Sequence, residues 1–143
     1  MYKTRKALAQ LVLNTLTSSP LSIPTSSVIS ENMENPDTSD PWCQMWFKPN
    51  IPIMFTLGEN GLDEMTGIFL ANIHIPLDVG NSLGVLAADT FRDVFVGGKH
   101  VIFDDREVSI LRCGANLGRI VDTWYRADIT IYWRVYLSRG NVT

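Results

Sequence analysis

The sequence predicts an α+β fold, in which two helices pack on one face of a mostly antiparallel β-sheet that has a long C-terminal strand. Three observations support this prediction. Apolar and polar residues alternate from Thr123 to Leu137, two other segments carry apolar residues at helical spacing, and several short apolar runs end at Pro or Gly. The order is a helix, strands, a second helix and then three strands, which is typical of helices packed on one side of an antiparallel sheet.

The C-terminal segment is the longest predicted strand. Because successive strand side chains point to opposite faces, every second residue forms one apolar face: Tyr125, Ala127, Ile129, Ile131, Trp133, Val135 and Leu137. A strand this long needs hydrogen-bonding partners along its whole length. Its other face mixes Trp and Tyr with Arg, which leaves two interpretations: a solvated face, or a surface that meets another protein.

Composition restricts the function classes. The 143 residues suit a single domain, residues 1–143, and the net charge of -3 argues against an extended basic surface for nucleic acid. Cys43 and Cys113 lack the spacing of a zinc or redox motif and are predicted to be buried free thiols. No segment is long and apolar enough to span a bilayer, and the N-terminus lacks the solid apolar run of a signal peptide. The chain is therefore predicted to be a soluble protein made in the cytoplasm.

The first part of the chain is predicted to contain one helix and two strands. Apolar residues at helical spacing from Leu8 to Leu16 predict the helix, with Thr4 as its cap. The polar segment from Leu21 to Asp40 predicts a loop that contains a short strand at Ser27–Ser30. Trp42 to Lys48 predicts the second strand, whose aromatic residues on both faces indicate cover on both sides or a subunit contact.

The segment from Asn50 to Gly61 is apolar, although its Pro and Gly content is typical of a loop. An apolar loop is unusual, because loops generally run over the surface. Two arrangements remain open. The segment folds back on the core, or it forms an arm that becomes ordered against a neighbouring molecule.

The next part of the chain predicts a strand from Met65 to Ile75 and a helix from Leu83 to Phe95. Asn81 or Ser82 is expected to cap this helix, since both residue types accept a hydrogen bond from its first turn. Gly97 and Gly98 then end it.

The C-terminal part of the chain predicts a β-hairpin and then the long strand. The hairpin strands are His100–Phe103 and Glu107–Cys113, joined by a turn at Asp104–Arg106. Gly114 to Asp122 is polar and contains two glycines, so it is predicted to be a connector. Residues Arg139 to Thr143 are predicted to be a frayed tail.

No catalytic constellation is visible in the sequence. His74 and His100 both fall in predicted strands and have no HExxH, GxSxG or phosphate-loop context. Asp104, Asp105 and Glu107 could hold a cation on oxygen ligands, but a hairpin turn explains this acidic cluster better. The sequence therefore predicts a protein that is not an enzyme and that has no cofactor and no metal.

The order of these features resembles the tail terminator, or tail completion, proteins of long-tailed bacteriophages. The resemblance runs from about Ala7 to Tyr136 and rests on short motifs: Phe47-x-Pro49, the strand ending Ile75-Pro76 followed by Gly80, and Trp124-Tyr125 at the start of the last strand. The segment from Asn50 to Gly61 is more apolar than is usual for the family, and the segment from Leu21 to Asp40 is not diagnostic.

The resemblance implies a structural virion protein of the phage tail or neck, assembled in the host cytoplasm. Members of the family form a homohexameric ring that caps the tube of the major tail protein and stops its polymerisation. The ring also offers a surface to the head-completion, or connector, protein, while DNA passes through its lumen as cargo. No membrane contact is implied.

Residues for the interfaces of such a ring are chosen for their type and position: Trp46, Met54, Phe55, Trp124, Arg126, Tyr132 and Arg134. Each of them has an alternative interpretation as a core residue or an ordinary surface residue. Two other functions remain open for the chain. It could be a different neck or tube component, such as a head-completion or tail tube protein, or a small α+β enzyme or ligand-binding domain that uses His74 or His100.

Overall fold

The computed structural model describes residues 1–77 and 79–139, which contain two α-helices, one short 3-10 helix (Thr25–Ser27) and one seven-stranded sheet. The helices are α1 (Tyr2–Thr17) and α2 (Ser82–Val94). The strands are β1 (Val28–Ser30), β2 (Trp42–Pro49), β3 (Ile53–Met54), β4 (Leu62–Pro76), β5 (His100–Phe103), β6 (Arg106–Val121) and β7 (Trp124–Ser138). The prediction of an α+β fold with a mostly antiparallel sheet and a long C-terminal strand is confirmed.

The long strand β7 is the centre of the sheet. The strand order is β1-β2-β4-β7-β6-β5, and β3 pairs separately with β4. All 15 residues of β7 pair with β4, and β6 pairs with the other side of β7. The expected partners along the whole strand are therefore present. Only β1 and β2 run parallel; the other ladders are antiparallel.

The core lies on the face of the sheet that carries the odd-numbered residues of β4 and β7. Trp133 is fully buried there, and its indole crosses Gly67, the residue directly opposite it on β4. Phe47 stacks on Trp133 with ring centroids 5.3 Å apart. Buried side chains of α1 and α2, such as Leu8 and Phe91, belong to the same cluster. This continuous apolar contact is the main stabilising contribution to the fold.

Helix α1 begins earlier than its apolar pattern suggests. Met1 is the N-cap residue, and Thr4 lies buried inside the helix, so its prediction as the cap is wrong. Lys3 forms ion pairs with Asp104 (3.1 Å) and Asp105 (2.6 Å) in the β5–β6 turn. The basic start of α1 therefore contacts this acidic turn. The hydrogen bond with Lys3 lowers the pKa of Asp105, and the same contact raises the pKa of Lys3.

The prediction of a connector from Gly114 to Asp122 is wrong, because β6 continues to Val121. The ladder between β6 and β7 shifts register twice, between Ile110 and Arg112 and between Asn116 and Arg119. Gly118 lies in the second irregularity with φ +92°, a conformation that favours glycine. The glycines and polar residues of this segment therefore belong to a bulged strand.

The end of the described chain also differs from the prediction. Arg139 is not frayed: its backbone N–H donates to the carbonyl of Gly61 at 2.9 Å. Residues 140–143, the rest of the predicted tail, lie outside the described residues. Within residues 1–77 and 79–139, neither helix has the length and hydropathy needed to cross a bilayer.

Candidate functional site

The sheet has a second face, opposite the core, which we call the outer face. It is formed by the even-numbered residues of β2, β4 and β7. Five of the seven predicted interface residues lie on it: Trp46, Trp124, Arg126, Tyr132 and Arg134. All five are partly buried. These residues come from β2 and β7, which are far apart in sequence, and they lie on one surface. For the four residues of β7, the alternation of apolar and polar residues in the sequence indicates this shared face.

A polar network crosses three strands of the outer face. Arg126 forms an ion pair with Asp128 (Nε to Oδ1, 2.7 Å), and its Nη2 donates to Asp128 Oδ2 at 3.2 Å. With its amide nitrogen turned to Asp128, Asn72 donates to Oδ1 at 2.9 Å and accepts from Trp46 Nε1 at 3.2 Å. The two charged side chains are only 18% and 15% exposed. Trp46 and Arg126 therefore already have polar partners within the chain.

This network borders a concave site of about 360 Å³. Lys48 and Arg119 add two cationic side chains to its lining, and Asp128 adds one carboxylate. Because Asp128 is already paired with Arg126, the uncompensated charge of the site is positive. The outer face is thus not uniformly acidic, although the chain as a whole is.

Aromatic rings surround His74 at one end of the outer face. Trp42 stacks on its imidazole with centroids 3.8 Å apart and 3° between the planes, and Trp124 meets it edge-on at 6.4 Å. His74 is 6% exposed, and its Nδ1 has no hydrogen-bond partner among the described residues. Burial lowers the pKa of His74, and the nearby Arg126 guanidinium lowers it further. The ring is held as a neutral, packed side chain.

His100 lies in a different and exposed environment. Its Nδ1 is 2.8 Å from Glu107 Oε1 and 3.4 Å from Ser109 Oγ. A Ser–His–acid relay uses the two imidazole nitrogens separately, one toward the nucleophile and one toward the carboxylate. Here both neighbours approach the same nitrogen, so the cluster does not have the geometry of such a relay.

The sequence left open that the acidic turn between β5 and β6 binds a cation. Lys3 already forms ion pairs with both Asp104 and Asp105 there. Across the part of the chain that the structure describes, no group of three His, Cys, Asp or Glu side chains is placed to hold a metal ion. Cys43 is buried and Cys113 half-buried, both as free thiols, and burial raises the pKa of Cys113 to about 11.

The segment from Asn50 to Gly61, which we call the arm, projects from the sheet beside the start of β4. Its large apolar side chains are exposed: Ile51 (87%), Ile53 (67%), Met54 (59%), Phe55 (57%) and Leu57 (88%). Of the two arrangements open at the sequence level, the structure has the arm outside the core. Only Phe55 makes an aromatic contact, with Tyr136 of β7 at 4.8 Å, among the contacts that the described residues make. The predicted interface residues Met54 and Phe55 are therefore accessible.

Arg139 holds the base of the arm. Its guanidinium donates to the carbonyl of Gly58 at 2.7 and 3.1 Å and to that of Leu62 at 2.8 Å, and it also contacts the carbonyl of Thr56 and the carboxylate of Asp63. Its side chain is 18% exposed. Sequence reasoning missed this residue because its place near the end of the chain suggested a frayed tail.

A second surface that the sequence did not indicate is the free edge, residues 111–121 of β6. The short strand β5 pairs only with Arg106–Ser109, so beyond Ile110 the strand has a described strand neighbour on the β7 side alone. Three apolar side chains are exposed along it: Leu111 (42%), Leu117 (38%) and Ile120 (65%). Its two charged residues, Arg112 and Arg119, are both basic and exposed.

Comparisons with known proteins support the fold and go no further. No protein-family profile matches the chain. No curated protein matches it significantly. A solved structure is similar over 92% of this chain and 92% of its own chain, with a TM-score of 0.69 and 15% sequence identity. At that identity, the likeness shows a shared fold alone.

Proposed function

We propose that this protein is a structural component of a phage tail, a tail terminator that assembles as a homohexameric ring on the end of the tail tube. In this function the ring stops tube polymerisation and offers a joining surface to the head-completion protein, and DNA passes through the lumen. The protein would then reside in the virion, at the tail or neck. The motifs from Phe47 to Tyr125 suggested this family.

The observation that carries the proposal is the exposed arm. Five large apolar side chains stand outside the core on one segment, and exposed apolar patches of this kind mark protein–protein contacts. A ring built from head-to-tail contacts needs two different patches on each subunit. The arm and the free edge of β6 are two such patches at different places on the sheet.

The arrangement of the helices supports the same proposal. α1 contacts β5 and β6, and α2 contacts β4, β6 and β7. We infer that both helices cover the core face, so that neither helix covers the outer face. Tyr132 and Arg134 on that face are residue types that anchor interfaces, and Arg112 lies over the Tyr132 ring at 4.1 Å.

The proposal is tested by adding the purified protein to tail tube protein while it polymerises, and by imaging the products by electron microscopy. Tubes of limited length that carry a six-fold ring at one end are expected. Incorporation along the whole tube would instead identify a tube subunit. Tube growth that the protein neither stops nor caps would contradict the proposal.

A further inference from the structure

The arm and the free edge are complementary in chemistry. The arm is an apolar segment whose only charged residue is Glu59. The free edge carries exposed Leu111, Leu117 and Ile120, and its only charged residues are Arg112 and Arg119. An apolar segment with an acidic residue therefore matches an apolar edge with basic residues.

On the side away from β7, the backbone of the free edge pairs with no other strand among the described residues. Between its two register shifts, residues 112–116 pair regularly with β7 on one side. On the other side, no described residue forms a strand ladder with these N–H and C=O groups, so the edge is a template for an extended segment. The arm contains such a segment at Ile53–Met54, which pairs with β4 on one side only. The two residues of this segment match part of the five-residue stretch 112–116.

These two surfaces cannot meet within one molecule. The arm is attached to β4, the free edge belongs to β6, and β7 lies between those strands. Along β7, the arm contacts Tyr136, whereas the middle of the free edge, at Ala115, is opposite Ile129. Seven residues of strand separate these two positions by roughly 20 Å. Arg139 fixes the base of the arm at its own end of the sheet.

We propose that the arm of one copy of this chain docks on the free edge of β6 of a second copy. The arm's apolar side chains cover apolar side chains of the edge, among them Leu111, Leu117 and Ile120. Glu59 lies near either Arg112 or Arg119, because these two residues are roughly 20 Å apart along the sheet. The contact is heterologous, so every copy offers one arm and one edge. This inference rests on the proposed function in that it names the contact between neighbouring subunits of the ring, but it predicts self-association of the protein by itself.

The test is a complementation of two variants of the full chain by analytical ultracentrifugation. Met54→Ser/Phe55→Ser removes the arm's contact, and Arg112→Glu/Arg119→Glu removes that of the edge. Each variant alone is expected to self-associate at least about tenfold more weakly than wild type. Mixed one to one, they are expected to form a dimer and nothing larger, because only one intact arm and one intact edge can pair.

Matched controls change the same residue types elsewhere. Tyr2→Ser/Met33→Ser replaces one aromatic residue and one methionine that are 68% and 56% exposed. Lys6→Glu/Arg92→Glu reverses two charges on the helices. Both controls are expected to associate like wild type. If circular dichroism shows that a double variant is unfolded, the single variants Phe55→Ser and Arg119→Glu replace it.

Three outcomes would overturn the inference: a wild-type protein that stays monomeric at every concentration, an arm or edge variant that associates like wild type, or a mixture of the two variants that stays monomeric. Among these, arm variants that lose tube binding while wild type is monomeric would assign the arm to the tail tube. Conversely, association through arm and edge without any effect on tube growth would support the contact and remove the proposed function.

Discussion

The imidazole of His74 sits where a positive charge is poorly solvated. Trp42 covers one face of the ring, Trp124 meets it edge-on, and Arg126 is the nearest charged group that lowers its pKa. Asp128 acts in the opposite direction but is already paired with Arg126. Because the pKa is lower in the folded state than in the unfolded state, the unfolded chain binds the proton first as the pH falls.

We therefore expect acid to destabilise the protein in part through His74. The loss of stability begins as the pH falls toward the unfolded pKa of about 6.5 and continues down to the folded pKa. His74→Phe keeps an aromatic ring and removes the titration, so its melting temperature should fall less than that of wild type between pH 7.5 and 5.5. Thermal unfolding followed by circular dichroism measures this difference.

The control for this comparison is His100→Phe, since His100 is exposed beside Glu107 and Ser109. It shows how far the replacement of an exposed histidine by Phe alone changes the melting temperature. Equal pH dependence of wild type and His74→Phe would show that the buried imidazole is not the titrating group.

Gly67 leaves no room for a side chain at its place in the core. A Cβ atom there would lie 2.5 Å from Trp133 Cζ2 and 2.6 Å from the Lys48 carbonyl oxygen. Gly67→Ala should therefore destabilise the fold by about 1–3 kcal/mol, the usual cost of overpacking. Gly114→Ala is the matched control, since a Cβ there meets nothing within 4 Å. Urea unfolding measures both, and equal stability of the two variants would contradict the packing argument.

At the scale of elements, Arg139 couples the end of β7 to the arm. Replacing it by Ala removes the donors to the Gly58 and Leu62 carbonyls and the ion pair with Asp63. We expect Arg139→Ala to raise the hydrogen-exchange rate of the arm's backbone amides at least about tenfold. In the variant, the arm can open locally without breaking these hydrogen bonds. Exchange in the middle of β4 should change little.

Hydrogen exchange read by mass spectrometry tests this coupling, with Arg92→Ala on α2 as the control for loss of an exposed arginine. Unchanged exchange in the arm of Arg139→Ala would mean that the arm's other contacts, such as β3 pairing and the Phe55–Tyr136 contact, hold it without Arg139.

The long strands β4 and β7 were predictable, whereas the second half of β6, which forms the free edge, was not. β7 alternates apolar and polar residues without Gly or Pro, so one periodicity identifies both its extent and its buried face. In β6 two register shifts break that periodicity, and the polar segment that contains Gly114 and Gly118 has the composition of a connector. A bulged strand and a loop share the same local signals, and only pairing with β7 distinguishes them.

The sequence predicted which residues share the outer face, but it did not predict the contacts between them. Alternation places Trp124, Arg126 and Tyr132 on one face, and the structure agrees. The network from Trp46 through Asn72 to Asp128 joins residues far apart in sequence, so no local pattern reveals it. Arg139 was missed for the same reason, since its partners lie more than seventy residues away.

At the scale of the whole molecule, stability and assembly should be linked. Only the folded chain presents both a fixed arm and a fixed edge, so association stabilises the folded state by mass action. We expect the melting temperature of wild type to rise over a roughly hundredfold increase in protein concentration. Met54→Ser/Phe55→Ser should melt at one temperature throughout, close to that of dilute wild type, because Met54 and Phe55 are 59% and 57% exposed in the single chain. Loss of the Phe55–Tyr136 contact should lower this temperature only slightly.

Differential scanning calorimetry at several concentrations measures this linkage. It also distinguishes the two roles that the arm could have. If the arm variant melts well below dilute wild type, Met54 and Phe55 stabilise their own subunit and are not free for a neighbour. If both proteins melt at the same temperature at every concentration, folding is independent of association. The proposed contact requires a third result. The melting temperatures of wild type and of the arm variant should be close in dilute solution, and wild type should melt at increasingly higher temperatures than the variant as the concentration rises.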